Sequence, residues 1–349
     1  MQRRSDAAAD KDRQLPSTLR LTSSREGEAI AVGLTNLAVL PGEAGQVRMT
    51  NLPLRSPPSG ADIGVRMLRA PINPADLMAI DGRYAFNLKD DTPVGAEGVG
   101  IVQAVGEAVS DLKPGDMVMP LSRGNWCRYR LVPRSHLIAL HAETDLAQAA
   151  MLRINPSTAR LLIETAKVTQ GDAIIQNAAT SAVATWVRTI AARMDVTVID
   201  VVRRHDPALP HAIVDGPDLA DRVRVAAQGR PLRAALDCVA GPATGRLAEC
   251  LSLGGQVIVF GHLSGEPLSV RSTVLTGGKL SIQGFSLRPA EAAMGETARN
   301  VMIADLLALH ASTRIKLPVR DILPLSQAGV AVALARTPGK GRVLLDLTA

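Results

Sequence analysis

Two tyrosines occur in the 349-residue chain, and one of them, Tyr84, follows Asp81-Gly82-Arg83, a combination that favours a turn. A phenol with a pKa of about 10 keeps its proton at neutral pH, so it can hydrogen-bond a developing enolate or deliver a proton to carbon. It can equally well hold the loop behind the turn. Asn73, between Ile72 and Pro74, either braces the local backbone or meets a substrate carbonyl. Trp126, in Gly124-Asn125-Trp126, suits a pocket wall or a core position. Arg203 and Arg204 end an apolar run and offer two guanidiniums to a phosphate, or else two solvated charges. The three cysteines, Cys127, Cys238 and Cys250, are too few and too dispersed for a disulfide framework or a four-thiolate zinc site, and no metal is expected.

These residues need elements to hold them. Between residues 30 and 132, short apolar or alternating runs such as Val99 to Val105 are separated by Gly and Pro, which predicts a β-rich unit. Beyond Asp145 the texture changes. Pro156 to Ala166 carries helical spacing, and Ala173-Ile174-Ile175 reads as a strand. A small-residue turn from Asn177 to Ala182, a helix through Met194 and a strand at Val196 to Ile199 follow. That is a βαβ unit, and further strands at Ala234 to Val239, Gln256 to Phe260 and Leu280 to Ile282 predict a doubly wound parallel sheet. A helix from about Ala290 to His310 and a strand from Arg342 to Asp346 complete the pattern.

Pro71-Ile72-Asn73-Pro74-Ala75-Asp76, the Asp81 to Tyr84 turn, and Pro93-Val94-Gly95-Ala96-Glu97-Gly98-Val99-Gly100 together resemble the signature of zinc-independent medium-chain dehydrogenase/reductases. Within that superfamily the pattern is most similar to the 2-enoyl thioester reductase branch, which includes the mitochondrial enoyl reductases. Ile154-Asn155-Pro156-Ser157-Thr158-Ala159, Leu236-Asp237-Cys238-Val239-Ala240-Gly241 and Gly339-Lys340-Gly341-Arg342 agree in order. The resemblance spans roughly residues 30 to 349. It implies an α/β chain with a GroES-like catalytic domain (29–150 and 291–349), a Rossmann domain (151–290) and a polar N-terminal arm (1–28).

By the same resemblance, the protein reduces an activated carbon-carbon double bond with NADPH, the substrate being a 2-enoyl thioester on coenzyme A or an acyl carrier. Tyr84 then assists protonation at the α-carbon, with Asn73 beside it. Asn155 and Thr158 lie by the nicotinamide, Asn177, Ala182 and Gly261 lie along the cofactor, and Arg203 and Arg204 meet its 2′-phosphate. Trp126, Phe285 and Ser286 line the substrate pocket. The resemblance also implies a homodimer.

Two departures support a different reading, a dehydrogenase-like protein with a degraded nucleotide site that does redox-neutral chemistry or serves as a partner subunit. Alanines stand at 182 and 184 where the resembled reductases have glycine. Pro207 and Pro210 interrupt the segment expected to flank the adenosine. A third departure is Gly284-Phe285-Ser286-Leu287, where the family has Trp in place of Ser286.

Composition narrows the alternatives. No apolar run reaches the roughly 20 residues that span a bilayer, and the polar start has no signal-peptide core, so a membrane protein is not expected. Asp6, Asp10 and Asp12 argue against a transit peptide, which leaves a cytoplasmic chain as the expectation. The net charge of +6 suits an anionic ligand, yet seven aromatic residues and no basic cluster beyond a pair argue against nucleic acid.

Overall fold

The computed structural model describes residues 36–53, 57–83, 88–89 and 91–349. Strands β1 (Asn36–Pro41) and β2 (Val47–Leu52) form an antiparallel pair. The chain continues through β3 (Asp62–Pro71), helix α1 (Pro74–Ile80), β4 (Val99–Val105), β5 (Met117–Pro120), β6 (Tyr129–Pro133) and β7 (Leu137–Ala139). Two helices, α2 (Leu146–Ala149) and α3 (Ile154–Ala166), lead into the alternating region. There β8 (Ala173–Gln176), α4 (Ala182–Arg193), β9 (Thr197–Val202), β10 (Ile213–Val214), α5 (Leu219–Ala227) and β11 (Leu232–Asp237) follow in turn. Next come α6 (Pro242–Cys250), β12 (Gln256–Val259), α7 (Ser272–Gly278) and β13 (Ser281–Gly284). Helices α8 (Leu287–Met294) and α9 (Glu296–Thr313), strand β14 (Val319–Pro324), helix α10 (Ala328–Arg336) and strand β15 (Arg342–Asp346) end the chain.

The parallel sheet runs β10-β9-β8-β11-β12-β13, the order of a dinucleotide-binding fold, with the direction of winding reversing between β8 and β11. Its central strand is buried along its whole length, as a strand covered by helices on both faces must be, and its Ile174 and Ile175 are the β-branched residues that such a strand favours. The other sheet runs β14-β15-β3-β4-β5-β7, with β6 also paired to β3. Strands before α2 and after α9 thus build one sheet and the segment between them builds the other, the two-part α/β architecture that the sequence pattern implies.

The long helix expected over 290–310 is two helices. Gly295, with φ +79, separates α8 from α9, because the left-handed region ends a helix and costs glycine nothing. Met302, Ile303, Leu306 and Leu309 of α9 pack with Leu162, Ile174 and Trp186 in the core of the parallel sheet, each burial contributing about 1.5–3 kcal/mol. Between β9 and β10 no helix forms, and β10 has only two residues, in keeping with the prolines at 207 and 210.

Candidate active site

A cleft of about 1030 Å³ opens where the carboxyl ends of the parallel strands face α1 and the N-terminus of α3. Open α/β sheets take ligands at this edge, where the winding reverses. Ser181, Ala182, Val183, Cys238 and Gly261 line the parallel-sheet wall, while Asn73, Arg153, Asn155 and Thr158 line the other. Ser286 also faces the cleft.

The turn after β8 shows what the two alanines do. The Ser181 hydroxyl caps α4 by accepting from the Ala184 N–H at 3.1 Å, and Ala184 is buried away from the cleft. Its methyl group therefore occupies core rather than ligand space. Ala182 does line the cleft, as the first residue of α4. The first N–H groups of a helix have no intrahelical acceptor and present a positive end to an anion. A methyl at 182 narrows this end without closing it. Gly261, just beyond β12, is needed for a different reason. A Cβ there would lie 2.5 Å from the Cys238 carbonyl oxygen and 2.7 Å from its Sγ, so only glycine lets β11 and β12 end this close together. The Cys238 thiol is pushed up to about 12 by burial and by the neighbouring Asp237, which leaves it protonated and unreactive.

The opposite wall rests on buried charge. Asn73 precedes α1, and its N–H donates to Asp76 Oδ2 at 3.0 Å. Its side-chain Nδ2 donates to Glu97 Oε1 at 2.9 Å. The other Glu97 oxygen accepts the N–H groups of Arg153 (3.2 Å) and Ile154 (2.8 Å), so this fully buried carboxylate caps α3 from a loop more than fifty residues earlier. Arg123 pairs with Asp76 at 3.0 Å, and Arg153 pairs with Glu291 of α8 at 2.9 Å. Burial pushes the Asp76 and Glu97 carboxyls above the usual carboxylate range, against the pull of these donors and cations, and it pulls the Arg153 guanidinium down. Asn73 is thus held as a brace, while its Oδ1, buried and without a partner among the described residues, keeps an acceptor at the wall. Asn155 is 4% exposed, and no acceptor among the described residues reaches its Nδ2.

Several residues expected at the site lie elsewhere. Trp126 is fully buried in the first sheet's core, its Nε1 donating to the Pro71 carbonyl at 3.3 Å, so it forms no wall of the cleft. Asn177 spends both ends of its amide behind the cleft, donating to Asp237 Oδ1 at 2.6 Å and accepting from the Cys238 N–H at 2.8 Å. Phe285 packs against the core beneath α3 and α4 instead of lining the cleft. Arg203 and Arg204 are exposed just past β9, beyond the cleft lining but, as expected of them, at the carboxyl end of a strand of the parallel sheet. Tyr84 lies outside the described residues. Sequence reasoning passed over Arg123, Arg153 and Glu291. Only the Asn73-x-x-Asp76 spacing, which reads as half of a capping box, gave a local sign of this network.

Among the described residues, no three His, Cys, Asp or Glu side chains are grouped to hold a metal. Both oxygens of Glu97 are engaged as described.

Residues 59–143 match the family described as the alcohol dehydrogenase GroES-like domain. Over 302 residues the chain is 32% identical to the mitochondrial enoyl-acyl-carrier-protein reductase of Xenopus tropicalis, covering 80% of this chain and 85% of that one. Among solved structures, a protein from Bacillus thuringiensis named for NADPH:quinone reductase activity superposes with TM-score 0.81 at 26% identity, over 90% of this chain and 99% of its own. A complex of Etr1p with NADP and crotonyl-CoA superposes with TM-score 0.80 at 21% identity, over 90% and 100%. The expectation of a cytoplasmic chain is overturned by these matches, since the curated relatives are named as mitochondrial proteins. Three acidic residues near the start were too slight a basis for a compartment. The protein is an oxidoreductase. The chain belongs to the medium-chain dehydrogenase/reductase superfamily, in the branch of the enoyl-acyl-carrier-protein reductases.

Proposed function

We propose that the protein reduces the double bond of a 2-enoyl thioester with NADPH and without a metal. The observation that carries this reading is the cleft, which joins the ligand edge of a dinucleotide fold to a wall with an unspent amide donor at Asn155. The residues fit the cofactor. The first N–H groups of α4 suit its diphosphate, the close-packed Gly261 leaves room beside β12, and Asn155 and Thr158 suit the nicotinamide end. Arg203 and Arg204, exposed beyond β9, suit a 2′-phosphate. When bound, NADPH supplies the hydride that adds to the β-carbon. Charge then gathers on the thioester oxygen, and Tyr84 gives a proton toward the α-carbon, regaining one from solvent. Arg83 and Arg336, paired through Asp81 and partly exposed at the cleft mouth, suit the phosphates of the carrier.

The packing of α9 on the parallel sheet leads us to place the division between the two parts nearer residue 315 than 290. We also propose a homodimer joined through β13, the outer strand of that sheet, whose residues are mostly exposed.

A second reading, redox-neutral chemistry or a partner-subunit role, is favoured by the missing helix between β9 and β10. Titration with NADPH separates the two. Free NADPH at 100 times its Kd stabilises the native state by about 2.7 kcal/mol, which raises the Tm by several degrees. Calorimetry showing no heat, together with an unchanged Tm at millimolar NADPH, would support the second reading and remove the first.

A further inference from the structure

The cleft wall built by α3, α8 and the start of α9 has more positive charge than it neutralises. Arg153 is matched by Glu291 and Arg123 by Asp76. Arg299, on the first turn of α9, lines the same cleft but donates only to neutral oxygens among the described residues. These are the Ser135 carbonyl at 3.5 Å and Asn300 Oδ1 at 3.3 and 3.4 Å, all long. The positive charges of Arg123 and Arg299 both bear on Arg153 and help to lower its proton affinity, which places the three guanidiniums in one field.

Arg153 and Glu291 are more than nine-tenths buried, and Arg153 Nε and Glu291 Oε1 have no partner among the described residues. An unpaired buried donor such as Arg153 Nε is costly, while Glu291 Oε1 is an acceptor that a carboxylate leaves unmet. Ser286, which precedes α8, lines the same cleft. An aliphatic acyl tail laid against this wall would desolvate charges and give nothing back.

We propose that this wall is a subsite for a carboxylate at the far end of the acyl group, so that the preferred substrate is the monothioester of an unsaturated dicarboxylic acid. The inference rests on the reductase reading. Arg299 is its specificity-determining residue, supplying the uncompensated charge, and the charges of Arg123 and Arg153 share its field. The more exposed Arg83 and Arg336 stay with the carrier at the mouth.

The test compares trans-hex-2-enoyl-CoA with the CoA monothioester of trans-hex-2-enedioic acid, which has the same length and carrier and differs only in the terminal carboxylate. With NADPH, the wild-type enzyme is expected to favour the carboxylated substrate by about tenfold or more in kcat/KM, a site built for a polar group discriminating strongly against its absence. In Arg299→Gln the ratio is expected to fall to within about threefold of unity. Equal rates or a preference for the uncharged substrate would overturn the subsite while leaving the reductase reading intact. A loss in Arg299→Gln that lowers both substrates alike and preserves the ratio would also overturn it, since that result assigns Arg299 to the carrier or to folding. Failure of the wild-type enzyme to reduce either substrate while it reduces crotonyl-CoA would overturn the subsite alone, and failure with all three would remove both readings together.

Discussion

Replacing Glu97 with alanine is expected to lower the stability of the folded protein by about 3–5 kcal/mol, the cost of removing one member from a buried charge network. The substitution strands three donors at once: Asn73 Nδ2 and the N–H groups of Arg153 and Ile154. It also leaves the buried Arg153 and Arg342 without a carboxylate whose charge favours their ionised forms. Glu97→Gln should cost much less. The introduced amide oxygen can still accept from the two α3 N–H groups, and Asn73 can turn its unpartnered Oδ1 toward the introduced amide nitrogen.

The pH dependence separates the effects of charge and hydrogen bonding. Burial holds the Glu97 pKa above the 4.5 of an exposed glutamate, so the native state binds this proton more tightly than the unfolded chain does. Stability contributed through this group therefore falls as pH rises from 4.5 toward the raised value, and Glu97→Gln should remove that slope. Denaturant unfolding of the wild type and both variants across this range gives the result. A Glu97→Ala variant as stable as wild type would show that the carboxylate does not hold the α3 terminus in place.

Tyr84→Phe is expected to reduce kcat by about 10²–10⁴ while leaving the Kd for NADPH unchanged, because a positioned general acid contributes about that much. Phenylalanine preserves the ring and removes only the proton donor. Isothermal titration for the cofactor and steady-state turnover of crotonyl-CoA check the two halves of the expectation separately. Full turnover in the variant would remove Tyr84 from the mechanism, and weaker NADPH binding at equal turnover would give it a structural role.

The doubly wound sheet was legible because each strand-turn-helix unit is written in a continuous stretch. The apolar run at 173–175, the small residues after it and the helical spacing through 193 needed no distant partner for their interpretation. The site was legible only in part, since the same polar residue types serve as ligand contacts and as braces. Asn177 became a brace through Asp237, 60 residues away, and Trp126 became core through Pro71, 55 residues away. The Arg153–Glu291 pair bridges 138 residues and follows no periodicity, so nothing local announced it. The two alanines after β8 misled in a different way. Sequence gave them equal weight, but the helix start points one into the cleft and buries the other, a distinction that depends on the Ser181 cap.

The central claim is hydride transfer to the β-carbon of an enoyl thioester, and it is tested most directly with NADPH deuterated at both C4 positions and crotonyl-CoA in ordinary water. Mass spectrometry and NMR of the product should find one deuterium at the β-carbon, a solvent-derived hydrogen at the α-carbon, and one equivalent of oxidised cofactor for each butyryl-CoA formed. Crotonyl-CoA recovered unchanged with no NADPH consumed, or deuterium placed at any other carbon, would contradict the account.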